Sequence, residues 1–288
     1  MRPPDDLPLP PPRPADSNKG TYGRVLIAAG SRGMSGAAVL SGLGALRGGA
    51  GLVELAVPEG ILPIVAAAEP CWLTTPLPED DEGRLAAAAG DALARRWEAA
   101  SAVACGPGWG VTEATRGLAR RLVESCPLPL VVDADGLNAL VGQGDAWKRA
   151  PAPRIITPHP GEFARLCGIA VADVQADRAA LAQRFAGEQG IVVVLKGHGT
   201  VVTDGESLWI NPTGNPGMST GGTGDVLTGL TAALLAQRMS PLDAAKLAVY
   251  LQGLAGDLAA DELSQPGLIA SDLPRFLGAA WKIVLGQA

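Results

Sequence analysis

The chain has 288 residues, 47% of them hydrophobic, and a formal net charge of −6. This length suits one large α/β domain with a sizeable buried core. The acidic balance and the 4% content of aromatic residues argue against a DNA or RNA partner, which would need basic patches and stacking surfaces. The four cysteines stand far apart and only two histidines occur, so we expect a reducing cytoplasm and no structural zinc.

The first residues are rich in proline, which predicts an extended, poorly ordered tail over residues 1–16. A proline-rich ligand for a partner protein is the alternative. The remainder, residues 17–288, contains no linker or repeat and is predicted to be one domain. Its most apolar stretch, Val226–Ala236, is about half the ~20 residues of a membrane-spanning helix, so no membrane partner is expected.

Apolar runs of strand length alternate with helical stretches along the chain. The early runs are apolar on both faces, which is typical of a parallel sheet covered by helices. The predicted fold is α/β, with a central, mostly parallel sheet and helices on both faces. The predicted strands are Arg24–Ala29, Leu52–Val57, Ala102–Cys105, Leu130–Asp133, Arg154–Ile156 and Ile191–Leu195, followed by a hairpin of Thr200–Thr203 and Ser207–Ile210.

Three helices are marked by their ends or their composition. Thr112 is predicted to cap a helix that runs to Ser125. Ser240 is predicted to cap another helix, with proline at its first position. The stretch Val226–Ala236 is apolar all round and is predicted to be a buried helix.

A glycine-rich segment that leads into this buried helix is the strongest chemical motif. Five glycines fall between Gly214 and Gly224, directly before Asp225. Such a turn at a helix start presents amide groups and partial positive charge to an anion. Asp225 would orient an attacking hydroxyl and accept its proton, with its pKa lowered further by the helix start. The alternative is that Asp225 is an ordinary helix cap.

Further motifs follow predicted strands. In Thr157–Glu162, His159 would contact substrate and Glu162 would bind magnesium indirectly; the alternative is a rigid turn that opens a helix. Lys196–Thr200 would bind nucleotide phosphate or form a plain tight loop. Val132–Asn138 would bring acidic residues to a ligand at the end of a strand; the alternative is a turn in which Asn138 caps a short helix. The small residues of Gly30–Val39 would let a ligand approach a helix start; the alternative is close packing of helix on sheet. Gly106–Gly110 resembles a dinucleotide fingerprint, but its third glycine is missing.

Taken together, these motifs resemble the bacterial ADP-dependent NAD(P)H-hydrate dehydratase family of the ribokinase-like superfamily. The resemblance covers roughly residues 17 to 277. The motifs occur in family order as Lys19–Arg24, Gly33–Ala38, Asp133–Asp135, Thr157–Glu162, Lys196–Thr200 and Gly217–Asp225.

The resemblance implies that hydrated NADH or NADPH is restored while ADP becomes AMP and phosphate. It implies a homotetramer and, together with the chemistry, magnesium as cofactor. Asp225 would be the base, and the amides of Gly222, Thr223 and Gly224 would hold the anion. The implied binding residues are Ala38, Gly108, His159 and Asp225 for the hydrated dinucleotide, and Lys196, Gly197, His198, Gly199, Thr200 and Gly224 for the AMP part.

Three positions depart from the family pattern. Asn18 and Gln252 stand where relatives often have histidine, and Ala29 stands where a second glycine is usual. Relatives are often fused to an epimerase domain, and we expect no epimerisation from this chain. Two other functions stay open: a small-molecule kinase of the same superfamily, acting on a vitamin precursor, and a nucleotide-binding regulator without activity.

Overall fold

A central sheet organises the structure, a computed structural model that describes residues 3–287. Its nine strands within those residues are β1 (Arg24–Ala28), β2 (Leu52–Pro58), β3 (Leu73–Leu77), β4 (Ala102–Cys105), β5 (Leu130–Val132), β6 (Arg154–Ile156), β7 (Val192–Leu195), β8 (Val201–Thr203) and β9 (Leu208–Ile210). Their order across the sheet is β3-β2-β1-β4-β5-β6-β7-β8-β9. Neighbouring strands from β3 to β7 pair in parallel, and the pairs β7–β8 and β8–β9 are antiparallel.

Helices cover both faces of this sheet. They are α1 (Ser35–Arg47), α2 (Leu62–Ala68), α3 (Ala89–Ala94), α4 (Glu113–Ser125), α5 (Asp135–Ala139), α6 (Pro160–Cys167), α7 (Val171–Ala176), α8 (Arg178–Gln189), α9 (Thr223–Ala236), α10 (Pro241–Leu263) and α11 (Leu273–Val284). The core on one face is built with α1, α9, α10 and α11, and the core on the other with α3, α4, α6 and α8. Among residues 3–287, no helix is both long and apolar enough to cross a bilayer.

The predicted single-domain α/β fold with a mostly parallel sheet is confirmed. Every predicted strand is present to within one residue at each end, and the predicted helix caps Thr112 and Ser240 both form. The sequence reading missed β3. This edge strand contains Pro76 and is partly exposed, so it lacks the apolar run that marks the other strands.

Close packing of α1 on α9 fixes the start of α9. A Cβ added at Gly229 would lie 1.8 Å from the carbonyl oxygen of Ser41, and one at Gly44 would lie 2.2 Å from that of Val226. The two backbones therefore touch, and no larger residue fits at either position. Helix α9 is buried all round from Val226 to Ala236, as its composition predicted.

The chain reverses its direction across the sheet between β1 and β4. From β1 it proceeds to β2 and β3 on one side, and it then returns to β4 on the other. The loops after these two strands meet there, with the Gly30 amide 2.7 Å from the Pro107 carbonyl oxygen and Ser31 Oγ 2.7 Å from that of Gly108. Such a switch point is where open α/β sheets bind ligands.

The N-terminal segment contacts residues that precede β1 and β2, at the amino ends of the parallel strands and opposite the switch point. Leu7 is buried, and the Arg13 guanidinium lies 3.9 Å from the centre of the Tyr22 ring and donates to the oxygens of Gly49 and Gln237. Met1, Arg2 and Ala288 lie outside the described residues. The poorly ordered tail over residues 1–16 and the domain boundary at residue 17 stay predictions.

Candidate active site

The carboxyl ends of the parallel strands carry the predicted site motifs. The loops after β5, β6 and β7 contain Asp133, His159 and Lys196. The amino end of α9 lies against them, because Thr228 of α9 contacts Asp133. Ligands of open α/β sheets bind at this edge. The structure therefore brings three motifs that are distant in sequence to one helix start.

The glycine-rich turn forms the start of α9. Gly222 is the N-cap and has φ 94°. A Cβ there would lie 2.3 Å from Leu40 Cδ1, so both the backbone angle and the packing require glycine. Within residues 3–287, the amides of Gly222 and Gly224 have no backbone hydrogen-bond partner. Free amides at the positive end of a helix form an anion-binding site.

Asp225 is the third residue of α9 and not its cap, which corrects the ordinary-cap alternative. Its carboxylate has no hydrogen bond or ion pair with any residue from 3 to 287. Burial, with the negative charge of Asp133, raises the pKa of Asp225 from 3.8 to about 7, against the opposing charge of Lys196.

The expectation that the helix start lowers the pKa of Asp225 was therefore wrong. A helix dipole contributes only about 0.3–1 kcal/mol. Burial and a neighbouring like charge can shift a pKa by several units. An unpaired carboxylate that titrates near neutrality suits a general base.

Lys196 lies beneath the amino end of α9, which is called the tip of α9 below and comprises Gly222–Asp225. Its Nζ is 2.8 Å from Asp133 Oδ1 and 3.8 Å from Glu162 Oε2. Burial alone would lower the pKa of Lys196, but the two carboxylates outweigh burial and raise it. Lys196 is thus a fixed positive charge, and its contact with the nucleotide phosphate stays a prediction.

A cavity of ≈ 590 Å³ opens beside the tip of α9. This volume lies within the ~300–1,000 Å³ range of small-molecule pockets. All six residues predicted for the AMP part line it, as do His159 and Thr223, whereas Asp225, Ala38 and Gly108 are not among its lining residues. The six are Lys196, Gly197, His198, Gly199, Thr200 and Gly224.

Arg178 of α8 holds the cavity loop 196–200 in place. Its guanidinium donates to the carbonyl oxygens of Lys196 at 3.3 Å and Gly199 at 2.8 Å, and also to that of His198. Gly197 and Gly199 have φ angles of 141° and 61°, which suit glycine. Sequence reasoning missed Arg178, because nothing in α8 marks it among the other polar residues.

His159 caps α6 at the rim of the cavity. Its Nδ1 accepts from the amides of Gly161 at 3.0 Å and Glu162 at 3.3 Å, and Glu162 Oε2 accepts from the His159 amide at 2.8 Å. Burial and the charges of Lys196 and Arg165 lower the pKa of His159. A neutral imidazole thus opens the helix and faces the cavity, so the turn and the substrate contact are compatible.

Glu162 does not fit a direct magnesium ligand. One of its carboxylate oxygens accepts from the His159 amide, and the other lies 3.4 Å from His159 Nε2. Burial raises the pKa of Glu162, against the charge of Lys196. Residues 3–287 contain no group of three acidic, histidine or cysteine side chains arranged to hold a metal. An indirect role of Glu162, through water, stays a prediction.

Comparison with known proteins decides the family. Residues 25–277 match the family model described as NAD(P)H-hydrate dehydratase. The chain belongs to this NAD(P)H-hydrate dehydratase family. The resemblance drawn from the motifs is thereby confirmed.

Relatives in the family show two chain lengths. The chain is 38% identical to the ADP-dependent (S)-NAD(P)H-hydrate dehydratase of Bacillus subtilis, over 94% of both chains. It is 45% identical to a bifunctional NAD(P)H-hydrate repair enzyme of Moorella thermoacetica over 93% of its own length, but it spans only 51% of that relative. The chain thus spans about half the length of the bifunctional relatives.

Solved structures support the fold. The ADP/ATP-dependent NAD(P)H-hydrate dehydratase from B. subtilis, co-crystallised with ATP and Mg²⁺, superposes with a TM-score of 0.80. It is 36% identical, and the match covers 95% of this chain and 94% of that one. A ribokinase from Thermotoga maritima shares the fold alone, at a TM-score of 0.51 and 13% identity. The ribokinase-like fold is therefore confirmed.

Two residues that the family resemblance marks for the dinucleotide lie at the switch point. Gly108 is half-buried, with φ 67°, and a Cβ there would lie 2.8 Å from that of Ala37. Ala38 is fully buried. Its side chain therefore presents no exposed surface to a ligand in this structure. Their predicted contact with the dinucleotide stays a prediction.

The loop Gly106–Gly110, which resembles a dinucleotide fingerprint, buries the side chain of its own Trp109. Trp109 is fully buried, and its Nε1 donates to the carbonyl oxygen of Ala28 at 3.0 Å. The helix that follows is capped by Thr112, which accepts from the Thr115 amide at 3.1 Å. A helix start that is already capped by Thr112 argues against a Rossmann pyrophosphate site.

Gln252, one of the departures from the family pattern, supports the glycine-rich turn at the start of α9. Its Nε2 lies 2.6 Å from the carbonyl oxygen of Thr223, and the residue also lines the cavity. Of the other departures, Asn18 caps the short helix Lys19–Tyr22, and Ala29 is buried in the core. Neither of these two lies at the tip of α9.

Proposed function

We propose that the chain catalyses the ADP-dependent dehydration of the S-epimer of hydrated NADH or NADPH, with release of AMP and phosphate. The observation that carries this proposal is the unpaired carboxylate of Asp225 beside the free amides of Gly222 and Gly224, next to a cavity of nucleotide size. The activity in the name of the B. subtilis relative, which matches over 94% of its length, supports the same reaction.

Asp225 acts as the base in the proposed first step. It takes the proton of the C6 hydroxyl while that oxygen attacks the β-phosphorus of ADP and the bond to AMP breaks. The free amides of Gly222 and Gly224 stabilise the negative charge on the transferred group. The Thr223 amide, which the family resemblance also assigned to this role, instead donates to the carbonyl oxygen of Thr220 at 3.4 Å. The phosphate ester is a far better leaving group than hydroxide. The ring nitrogen lone pair expels it, and loss of a proton from C5 restores the double bond of NAD(P)H.

The remaining assignments follow the layout of the site. His159 and Gly108 contact the hydrated dinucleotide from the loops after β6 and β4, and Ala38 contacts it from the first turn of α1. The loop Lys196–Thr200 and Gly224 hold the AMP part in the cavity, where Arg178 keeps the loop rigid. The Asp133–Lys196 ion pair lies beneath the tip of α9.

Magnesium enters the proposal only with the nucleotide. The described side chains form no direct cation site, so the ion would be held by the phosphates of ADP and by water next to Glu162. When bound, it would neutralise phosphate charge. The co-crystallised ATP and Mg²⁺ of the B. subtilis structure support a metal–nucleotide complex there.

We also propose a homotetramer in the cytoplasm. The family resemblance drawn from the motifs is the ground for this assembly. Light scattering coupled to size-exclusion chromatography measures the assembly. A monomer at micromolar concentration would reject the tetramer and leave the proposed chemistry untouched.

Recovery of NADH absorbance tests the reaction. The purified chain is mixed with hydrated NADH or hydrated NADPH, and with ADP or ATP. We expect NAD(P)H to appear together with AMP and phosphate when ADP is supplied. A kinase of the same superfamily would instead accumulate a stable phosphorylated product. No NAD(P)H with either nucleotide would reject the proposal.

Replacement of the base tests the mechanism. Asp225→Asn keeps the shape but cannot accept a proton, so we expect a loss of about 10³-fold or more in kcat with ADP binding retained. Asp243→Asn is the matched control, because Asp243 is also the third residue of its helix but is bound to its own cap Ser240. Normal turnover by Asp225→Asn would disprove the mechanism.

A further inference from the structure

Asp133 is a buried carboxylate for which the proposed reaction has no direct use. Its side chain is 1% exposed and lies just after β5. Oδ1 is 2.8 Å from Lys196 Nζ, and Oδ2 is 2.7 Å from Thr228 Oγ1. One carboxylate therefore joins the end of β5, the cavity loop after β7 and the second turn of α9.

The two partners of Asp133 lie directly beneath the catalytic tip. The hydroxyl oxygen of Thr228 lies 3.1 Å from the carbonyl oxygen of Gly224. A Cβ at Gly224 would be 3.1 Å from Lys196 Nζ and 3.4 Å from Asp133 Oδ2. The backbone of Gly224 therefore packs closely on the Asp133–Lys196 pair, which supports the turn that carries the free amide of Gly224.

Stability alone does not explain this arrangement. A buried ion pair loses about as much by desolvation as it gains by attraction, and apolar residues of similar volume often serve as well. Hydrogen-bonded networks in a low-dielectric interior do, however, hold groups in one geometry. The Asp133 network is placed where geometry matters most for transfer of a phosphoryl group.

We propose that Asp133 is a positioning residue for the dehydration. Its carboxylate holds the Lys196 ammonium and the Thr228 hydroxyl beneath Gly224, so that Asp225 stays aimed at the reacting hydroxyl. This inference rests on the proposed function. Asp133 does not touch the substrate; it acts through the tip of α9.

The charges around Asp225 give the proposal a second readout. Besides its burial, the negative charges of Asp133, Asp135 and Glu162 raise the pKa of Asp225, and Lys196 lowers it. Among these charged neighbours, Asp133 has the largest effect on the pKa of Asp225. Its removal must therefore lower the pKa of Asp225 more than the removal of Asp135, a carboxylate two residues away that accepts from the Gly110 amide instead.

The first test compares Asp133→Asn with Asp135→Asn in the full-length chain, with hydrated NADH and ADP. For Asp133→Asn we expect kcat to fall by roughly 10- to 100-fold and the KM for ADP to change by less than about threefold. The acid limb of its pH profile should move to lower pH by at least about half a unit. For Asp135→Asn both changes should be smaller.

The second test uses Thr228 and decides the matter if Asp133→Asn does not fold. Thr228→Val removes the hydroxyl that Asp133 holds, and Thr228→Ser keeps it. Thr231→Val is the matched control, because Thr231 is equally buried in α9 but donates to Leu227 at 2.8 Å. We expect kcat to fall in Thr228→Val, to be restored in Thr228→Ser and to be unchanged in Thr231→Val.

The outcomes separate the two proposals. A wild-type chain that does not restore NADH from the hydrate would reject the proposed function itself. A wild-type chain that is active, with Asp133→Asn and Thr228→Val matching its kcat and pH profile, would overturn the positioning role alone. Lower melting temperatures in these variants at unchanged kcat would likewise assign Asp133 to stability only.

Discussion

At the scale of single residues, the protonation state of Asp225 sets the pH dependence. Its pKa is raised to about 7, mainly by burial, and only the carboxylate can accept the hydroxyl proton. The active form is therefore lost as the pH falls through 7. We expect kcat/KM to drop about tenfold per pH unit below that point and to level off above it.

This pH dependence is measured with hydrated NADH and ADP from about pH 5.5 to about pH 9 at constant ionic strength. Circular dichroism at each pH is the control, because it separates lost catalysis from lost structure. A profile that is flat between pH 6 and 8 would mean that Asp225 is ionised throughout, with the ordinary pKa of an exposed carboxyl group.

A second residue-scale prediction concerns Arg154, which is fully buried without a carboxylate partner among the described residues. Its guanidinium donates to the carbonyl oxygens of Val123 at 2.8 Å and Cys126 at 2.8 Å, which closes the end of α4. Arg154→Met leaves these carbonyls unpaired, so we expect the free energy of unfolding to fall by about 3 kcal/mol.

Urea unfolding measures this loss, and Arg149→Met is the control. Arg149 is about half exposed and pairs with Glu124 at 2.6 Å, so its replacement should cost less than about 1 kcal/mol. Equal losses in the two variants would show that the carbonyls at the end of α4 find other partners, such as water.

At the scale of elements, the contact between α1 and the tip of α9 makes Gly222 irreplaceable. Gly222→Ala places a methyl group 2.3 Å from Leu40 Cδ1 and forces alanine into φ 94°. We expect a loss of about 2 kcal/mol or more in unfolding free energy, together with a large fall in kcat.

A double-mutant cycle separates the two causes. Leu40→Ala in the Gly222→Ala background removes the clash with Leu40 but leaves the backbone strain and a 3.2 Å contact with Ala270 Cβ, so stability should recover only in part. Gly221→Ala is the control, because a Cβ at Gly221 meets nothing within 4 Å and its φ is not positive. A Gly222→Ala variant as stable as Gly221→Ala would disprove the steric argument.

At the scale of the whole molecule, the sequence predicted what local patterns encode. Apolar runs gave the strands, and caps such as Thr112 gave helix ends. The edge strand β3 escaped because Pro76 and exposed positions break its pattern. The motif residues around the cavity were predicted, but the pairing of Asp133 with Lys196 across 63 positions was not.

The pKa of Asp225 was misjudged for a similar reason. The helix start is visible in the sequence, whereas the burial and the neighbouring carboxylates that outweigh it depend on how distant segments pack. Local propensity therefore predicted the elements of the site, and tertiary packing decided its electrostatics.

The last prediction concerns the N-terminal segment and the molecule as a whole. Leu7 is 8% exposed and Leu9 is 63% exposed. Because Leu7 packs into the core, Leu7→Ala should lower the unfolding free energy by about 1–2 kcal/mol and Leu9→Ala should not. Arg13 contacts Gly49 at the amino ends of the strands, whereas the proposed active site lies at their carboxyl ends. We therefore expect kcat to be unchanged in both variants. Equal stability of the two variants would instead support a poorly ordered tail.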